Sequence, residues 1–306
     1  MSIPTPTATR PTTSTLAAWL DTVEAGHADN PAGAAAALLA RAPSLPADAD
    51  GARALRLVEH VALAHLADTA VPTAVLAALP TALAAQPATA AAVQRLQWAL
   101  ATLGGPPPPV RPADALRWCA LQNVVLALAA RGRFAEATTL LAADETAARH
   151  HGSGEAGQAY AATANNVAME LQTSGPAAGA ARDASRDALM LQAASIARRA
   201  WGRAGNWRHA ERAEYRLALC HAVAGHGAAA VQHALLCLSG CQAAGAEADA
   251  VEHFFAHEAL AHAHHVAGDV WAALAARQQM ASLLSLIDTA DGLRACCAEA
   301  LAALPR

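Results

Sequence analysis

Residues 217–225 read LALCHAVAG, and the same motif recurs as LAHAHHVAG at residues 260–268 and as VVLALAARG at residues 124–132. In each copy an apolar and a small residue open the motif, a glycine follows seven positions after the small residue, and an alanine lies five positions after the glycine. Repetition at a period of forty-odd residues is typical of helical solenoids, in which each repeat packs on its neighbours. The motif therefore predicts an all-α fold, an α-solenoid of antiparallel helix pairs.

The composition supports helices and excludes several kinds of chemistry. Alanine, the best helix former, is the commonest residue, and all 21 basic residues are arginine. Without lysine, the chain has neither a Schiff-base lysine for pyridoxal phosphate nor a phosphate-loop lysine for a nucleotide. The net charge is −4 and the charges of both signs are interspersed. We therefore expect no nucleic-acid partner.

The chain has no features of a secreted or membrane protein. Its six cysteines form no CxxC motif, and residues 1–14, rich in Thr and Pro, lack the apolar run of a secretory signal. The uncharged stretch at residues 69–94 is interrupted by Pro72, Pro80 and Pro87, so no bilayer-spanning helix fits there. The sequence predicts a cytoplasmic protein that has reduced cysteines and does not bind membranes.

Changes in composition divide the chain into four segments. Residues 1–14 are expected to form a disordered tail, and residues 15–103 an N-terminal helical region with one helix at about residues 51–67 and two over about residues 72–103. Residues 104–112 read GGPPPPVRP, which predicts a stiff linker. Residues 113–306 are expected to hold the repeats and a C-terminal capping helix. Whether residues 15–103 form a separate domain or continue the solenoid is left open by the sequence.

In the repeat region the helices are expected in pairs. The first helices of the pairs are predicted at about residues 113–130, 157–173, 207–224 and 248–267. The second helices are predicted at about residues 134–149, 177–201, 228–244 and 270–287, with a last helix from about Asp291. Asn206 and Asp269 occupy N-cap positions, and Gly205, Gly225 and Gly268 occupy positions where helices end.

This region resembles the tetratricopeptide repeat family. That family has a large and then a small apolar residue in its first helix, a glycine at the turn and small residues in its second helix. Leu217-Ala218 with Gly225, and Leu260-Ala261 with Gly268, occupy these places. The turn glycines at positions 132, 175, 225 and 268 are 43, 50 and 43 residues apart, as in the longer, kinesin-light-chain-like repeats.

The resemblance implies a binding groove on the concave face, lined by the first helices. Asn side chains can hydrogen-bond the backbone of a bound peptide, and two arginines can clamp a carboxylate. The resemblance thus implies a non-enzymatic scaffold or adaptor that binds a protein or peptide. The residues it places in the groove are Asn165, Asn166, Gln172, Arg212, Tyr215, Arg216, Phe255, Glu258, His262 and His265.

Histidine suggests a second interpretation. Five of the 14 histidines fall within residues 253–265. On a helix, His253, His257 and His264 lie within about 40° of one another around the axis. Imidazole is the commonest transition-metal ligand, so the alternative is a metal-binding protein or a metal-dependent enzyme. The same histidines also suit helix packing, in which case no cofactor is needed. A third interpretation is a structural module that self-associates.

Overall fold

The computed structural model describes residues 15–174, 183–288 and 292–305. All regular secondary structure in these residues is helical, as the sequence predicts. The chain divides into two compact units, one ending at Val110 and the other beginning at Arg111. The division falls inside the predicted linker at residues 104–112. The predicted tail at residues 1–14 lies outside the described residues.

The first unit begins where local capping signals occur in the sequence. The Thr15 hydroxyl accepts a hydrogen bond from the Ala18 amide, and the Asn30 side chain accepts one from the Gly33 amide with Pro31 in the first turn. Leucines such as Leu20, Leu38 and Leu55 fill the core of the unit. Its helices are α1 (Leu16–Gly26), α2 (Pro31–Arg41), α3 (Ala49–Glu59), α4 (Ala70–Ala78), α5 (Thr81–Ala85) and α6 (Pro87–Thr102).

Two parts of the first unit differ from the helices expected from the sequence. The continuous helix predicted over residues 51–67 ends as α-helix at Glu59 and continues as a π-helical turn, His60–His65. Ala67 then adopts a left-handed backbone conformation, with φ of 50°. The two helices predicted over residues 72–103 are three, because prolines 80 and 87 each precede or open a new helix.

The second unit contains ten helices among the described residues, and most of their bounds match the predicted ones within a few residues. The predicted helix at 134–149 is interrupted at Asp144. The described part of the helix predicted at 177–201 runs from Ala184 to Ala204, and residues 175–182, which include the predicted turn at Gly175, lie outside the described residues. The helices are α7 (Asp114–Ala130), α8 (Phe134–Ala143), α9 (Glu145–Arg149), α10 (Glu155–Thr173), α11 (Ala184–Ala204), α12 (Trp207–Val223), α13 (Gly227–Ala244), α14 (Ala250–Ala267), α15 (Val270–Leu284) and α16 (Leu293–Ala303).

Caps and turns in the second unit follow the expected signals. Asn206 accepts a hydrogen bond from the His209 amide, and Asp269 accepts one from the Ala272 amide. Gly225 and Gly268, at the ends of α12 and α14, both have φ of 79°, a conformation that glycine adopts without steric cost. The glycine of the repeated motif thus lies where α12 and α14 end.

Packing in the second unit joins neighbours along the chain and first helices to one another. Helix α10 packs on α7 and α11, α12 packs on α10, α11 and α13, and α14 packs on α12, α13 and α15. The Thr163 hydroxyl on α10 donates a 2.6 Å hydrogen bond to the Trp118 carbonyl on α7. Alanines at the contacts allow the helices to approach closely.

The surface includes apolar and thiol groups. Trp271 on α15 is 84% exposed, and Val270 and Leu274 beside it are also exposed. Of the six cysteines, Cys296 is exposed and the others are buried or half-buried. Within the described residues, no helix is both long enough and apolar enough for a membrane span.

Candidate functional site

The candidate site is the first-helix row, which we define as helices α7, α10, α12 and α14. Polar side chains link each member of the row to the next. The Asn166 amide donates to Gln122 Oε1 at 3.0 Å, and the Arg216 guanidinium donates to Gln172. The Tyr215 hydroxyl donates to a Glu258 carboxylate oxygen at 2.7 Å. The partners are 43 or 44 positions apart in the sequence, close to the period of forty-odd residues at which the motif recurs.

Most of the predicted groove residues therefore lie on one set of adjoining helices. Asn165, Asn166 and Gln172 are half-buried on α10. Asn166 and Gln172 use part of their hydrogen-bonding capacity within the row. Because an amide side chain offers two donors and an acceptor, each retains capacity for a bound peptide backbone.

Helix α12 presents an arginine stripe, which we define as Arg208, Arg212 and Arg216. Residues four positions apart lie on one helix face. Arg212 has 68% of its side chain exposed and lies 3.7 Å from a Glu252 oxygen. Arg216 donates to Gln172 through Nη1, yet its Nε is buried and has no hydrogen-bond partner among the described residues. The stripe thus has an exposed guanidinium beside one with an unused donor.

An aromatic pair adjoins the stripe. The Tyr215 and Phe255 rings meet edge to face, with centroids 5.9 Å apart, and both are half-buried. Burial raises the pKa of Glu258, although its hydrogen bond from Tyr215 and the charge of Arg216 oppose that shift. Burial and the neighbouring Glu258 charge raise the pKa of Tyr215 well above its usual value of 10, so its hydroxyl remains a donor.

The two remaining predicted groove residues lie toward the end of α14. His262 is half-buried, and burial, followed by the charge of His265, lowers its pKa. His265 is exposed and lines a separate cavity of about 110 Å³ with Leu274 on α15 and Leu304 after α16. His265 is therefore placed beside the C-terminal helices, where the sequence did not predict a cavity.

The predicted metal set of His253, His257 and His264 does not form one site. His257 is near His253, and burial followed by the His253 charge lowers its pKa. His264 Nδ1 instead lies 3.8 Å from Asp269 Oδ2. Lying on the same face of the helix does not bring these histidines together. A helix rises 1.5 Å per residue, so the eleven positions between His253 and His264 separate them by roughly 16 Å along the axis.

Among the described residues, three metal-ligating side chains converge at one place, formed by His27, His60 and His65. The sequence pattern alone does not indicate that these three residues lie together. In a regular α-helix His60 and His65, five positions apart, would point about 140° away from each other. The π-helical turn changes that relationship, and the sequence contains no glycine or proline at residues 52–71 that would signal it.

A second feature that the sequence did not predict is a cleft in the second unit. It has a volume of about 820 Å³ and lies between α11, α12 and α13, with Arg198, Arg199 and Arg203 in its lining. At its wall, burial raises the pKa of Glu211, whose carboxylate accepts a 2.8 Å hydrogen bond from the Cys237 thiol. The predicted groove lies on first helices, whereas this cleft is lined mainly by the second helices α11 and α13.

The pKa of a neighbouring carboxylate in the same cleft is shifted in the opposite direction. Burial alone would raise the pKa of Glu214, but hydrogen bonds from His233 and Arg198 outweigh that effect and lower it. His233 Nδ1 lies 2.7 Å from Glu214 Oε2. The Glu214 carboxylate thus has its hydrogen-bond partners within the chain, and the wall of the cleft carries an ion pair.

Neither a protein-family model, nor a curated protein, nor a solved structure matches this chain.

Proposed function

We propose that the second unit is a tetratricopeptide-like α-solenoid of antiparallel helix pairs that binds a protein or peptide along the first-helix row. On this proposal the protein is a scaffold or adaptor without catalytic activity of its own. The supporting observation is the polar contact that recurs every 43 or 44 residues between first helices. Regular stacking of this kind produces an extended surface with one binding position per repeat.

The arginine stripe defines the chemistry of the partner. Arg212 is largely exposed, and Arg216 has a buried Nε without a partner among the described residues. A carboxylate bound between them would pair with both guanidinium groups. We infer that the partner segment has an acidic side chain or a C-terminal carboxylate at this position.

The aromatic pair adds an apolar contact next to the charge. Tyr215 and Phe255 are half-buried, so an apolar side chain one or two positions from the partner's carboxylate can cover them. Binding energy at protein interfaces is concentrated in such aromatic and arginine positions. The half-buried amides of Asn165 and Asn166 then remain for the peptide backbone.

A selection experiment tests this proposal without a known partner. The full chain would be immobilised and used to select from a random peptide library with free C-termini, and the affinity of selected peptides measured by fluorescence polarisation. We expect selected peptides to have a carboxylate next to an apolar residue. Arg212→Ala should weaken their binding at least tenfold, since one charged contact at the site is lost.

The control is Arg149→Ala, which removes another largely exposed arginine, on α9 outside the first-helix row. This variant should bind the selected peptides as the unaltered chain does. Equal loss in both variants would indicate a nonspecific charge effect. Failure to select any peptide, or peptides indifferent to Arg212→Ala, would contradict the proposal.

Self-association is a second candidate function, favoured by the apolar surface of α15. Val270 and Trp271 lie in the first turn of α15 and Leu274 in the next, and all three are exposed, Trp271 by 84%. An exposed apolar group of this kind often marks an interface. If two copies pair through it, light scattering should show a dimer that Trp271→Ser converts to a monomer. A chain that is monomeric at high concentration would exclude this function.

A further inference from the structure

The three-histidine cluster, His27, His60 and His65, lies in the first unit and is separate from the proposed binding surface. Its three rings meet edge to face, with centroid separations of 5.2, 5.0 and 4.8 Å. One nitrogen from each ring can be chosen so that all three lie within 4.8 Å of one another. Three imidazole nitrogens thus lie close enough together to bind one ion.

The backbone brings two of these rings together. His60 and His65 are the first and last residues of the π-helical turn, in which the Leu66 amide donates to the Val61 carbonyl at 3.2 Å. Two residues after the turn, Ala67 has a φ of 50°, which is uncommon for a residue other than glycine. Turns of this type and strained residues of this type both occur preferentially at functional sites.

The third ring is held by a hydrogen bond outside the cluster. His27 Nδ1 lies 2.6 Å from the Glu24 carbonyl oxygen, which only accepts, so Nδ1 is protonated and Nε2 has the free lone pair. The side chain of the same residue is also held, because Arg53 Nε donates a 2.7 Å hydrogen bond to the Glu24 carboxylate. A histidine ligand usually donates its other ring N–H to a carbonyl or carboxylate in this way.

The spacing of the other two nitrogens suits a metal ion. His60 Nε2 and His65 Nε2 are 3.1 Å apart. Two nitrogens bound to one tetrahedral Zn²⁺ at about 2.0 to 2.1 Å lie about 3.3 Å from each other. The observed separation of the two Nε2 atoms is therefore close to that of two imidazole ligands on one ion.

We propose that the three-histidine cluster binds one divalent transition-metal ion, with Zn²⁺ the best-suited ion. Three imidazoles without carboxylate ligands favour Zn²⁺, Cu²⁺ or Ni²⁺ over Ca²⁺ or Mg²⁺. Because His65 is exposed, the fourth coordination position faces solvent and would hold water.

The test uses the full chain, without a histidine tag and after dialysis against a chelator. Co²⁺ is added and its visible absorption is followed, because tetrahedral Co²⁺ has intense bands that octahedral aqueous Co²⁺ lacks. We expect saturation at one equivalent and displacement of the bands by Zn²⁺. Absence of tetrahedral bands together with no Zn²⁺ binding by calorimetry would overturn the proposal.

Substitutions at the exposed ligand identify the site. His65→Gln should weaken Zn²⁺ binding at least tenfold, whereas His150→Gln, at an exposed histidine of the second unit, should leave it unchanged. His65→Cys should retain binding and add a sulfur-to-cobalt charge-transfer band. Unaltered metal binding in His65→Gln would place the metal elsewhere and overturn the assignment. Circular dichroism would verify that each variant has the helix content of the unaltered chain.

Discussion

At the scale of single residues, the burial of an ion pair determines its contribution to stability. Arg95 binds Glu59 through two hydrogen bonds of 2.8 and 2.9 Å, and Glu59 is 1% exposed. We expect Arg95→Ala to reduce the free energy of unfolding by about 3 kcal/mol, because a buried carboxylate loses its bidentate partner. Chemical denaturation monitored by circular dichroism measures this change.

A second bidentate pair provides the matched control. Arg133 also binds Glu136 with two hydrogen bonds of 2.8 Å, but both side chains are more than two-fifths exposed. Arg133→Ala should therefore change the free energy of unfolding by less than about 1 kcal/mol. Similar losses in both variants would show that burial is not the deciding factor.

His221 should make stability depend on pH. Burial, followed by the charges of His233 and His226, lowers its pKa from 6.5 to about 4. As pH falls below 6.5, the unfolded chain binds this proton before the folded chain does, so folding loses free energy until the folded pKa is reached. Between pH 7 and pH 5 this group should account for a loss of about 2 kcal/mol at most.

His221→Gln isolates that contribution. Its unfolding free energy should fall less between pH 7 and pH 5 than that of the unaltered chain, as measured by urea denaturation at both values. His150→Gln, at an exposed position, should leave the pH dependence as it is. A His221→Gln variant with the same slope would mean that His221 titrates alike in both states. Glu214, bound to His233, titrates in both chains and cancels in the comparison.

At the scale of helices, the sequence predicted what depends on local signals. The caps at Asn206 and Asp269 and the turn at Gly268 are encoded within a few residues of each helix end, and all three are confirmed. The π-helical turn His60–His65 has no comparable signal, since its residues are ordinary helix formers. The interruption at Asp144 likewise depends on contacts distant in sequence, because Asp144 binds Arg117 on α7.

A close contact between α13 and α14 depends on one glycine. A Cβ atom on Gly227 would lie 2.7 Å from the Ala267 Cα atom and 2.8 Å from its amide nitrogen, and backbone atoms cannot move aside cheaply. Gly227→Ala should therefore destabilise the chain by about 1 to 3 kcal/mol. Thermal or urea unfolding of the full chain gives the value.

Gly202→Ala is the comparison for this substitution. Gly202 lies inside α11 and a Cβ there would meet nothing within 4 Å. Since alanine favours the helix, this variant should be more stable by about 0.5 to 1 kcal/mol. Opposite changes in the free energy of unfolding of the two variants would confirm the close approach at Gly227. Stabilisation of both variants would contradict it.

At the scale of the whole molecule, each unit has its own core. Leu55 and Leu96 lie in the core of the first unit, and Phe254 and Met280 lie in that of the second. We expect Arg95→Ala to accelerate hydrogen exchange in peptides from residues 15–110 and to leave peptides from residues 111–305 unchanged. Mass spectrometry of exchanged peptides tests this, and acceleration in both units would show that they unfold together.

The candidate sites differ in how far the sequence could predict them. The period of the motif predicts the first-helix row, and it places residues such as Asn166 and Arg216 on adjoining helices. The cluster of His27, His60 and His65 required the fold of the first unit and the π-helical turn. The cleft beside Glu211 required the packing of three helices. Periodicity predicts neighbours one repeat apart, but not where distant helices converge.

The distribution of sulfur gives the two units different responses to oxidants. Residues 2–110 contain neither cysteine nor methionine, whereas all six cysteines lie after residue 110. Cys296 is the exposed thiol. The hydrogen bond with Cys241, burial and the charge of Glu211 raise the pKa of Cys237 and so suppress its thiolate. Peroxide would therefore modify the second unit at Cys296 first. The imidazoles of the first unit would stay unmodified in an oxidising environment.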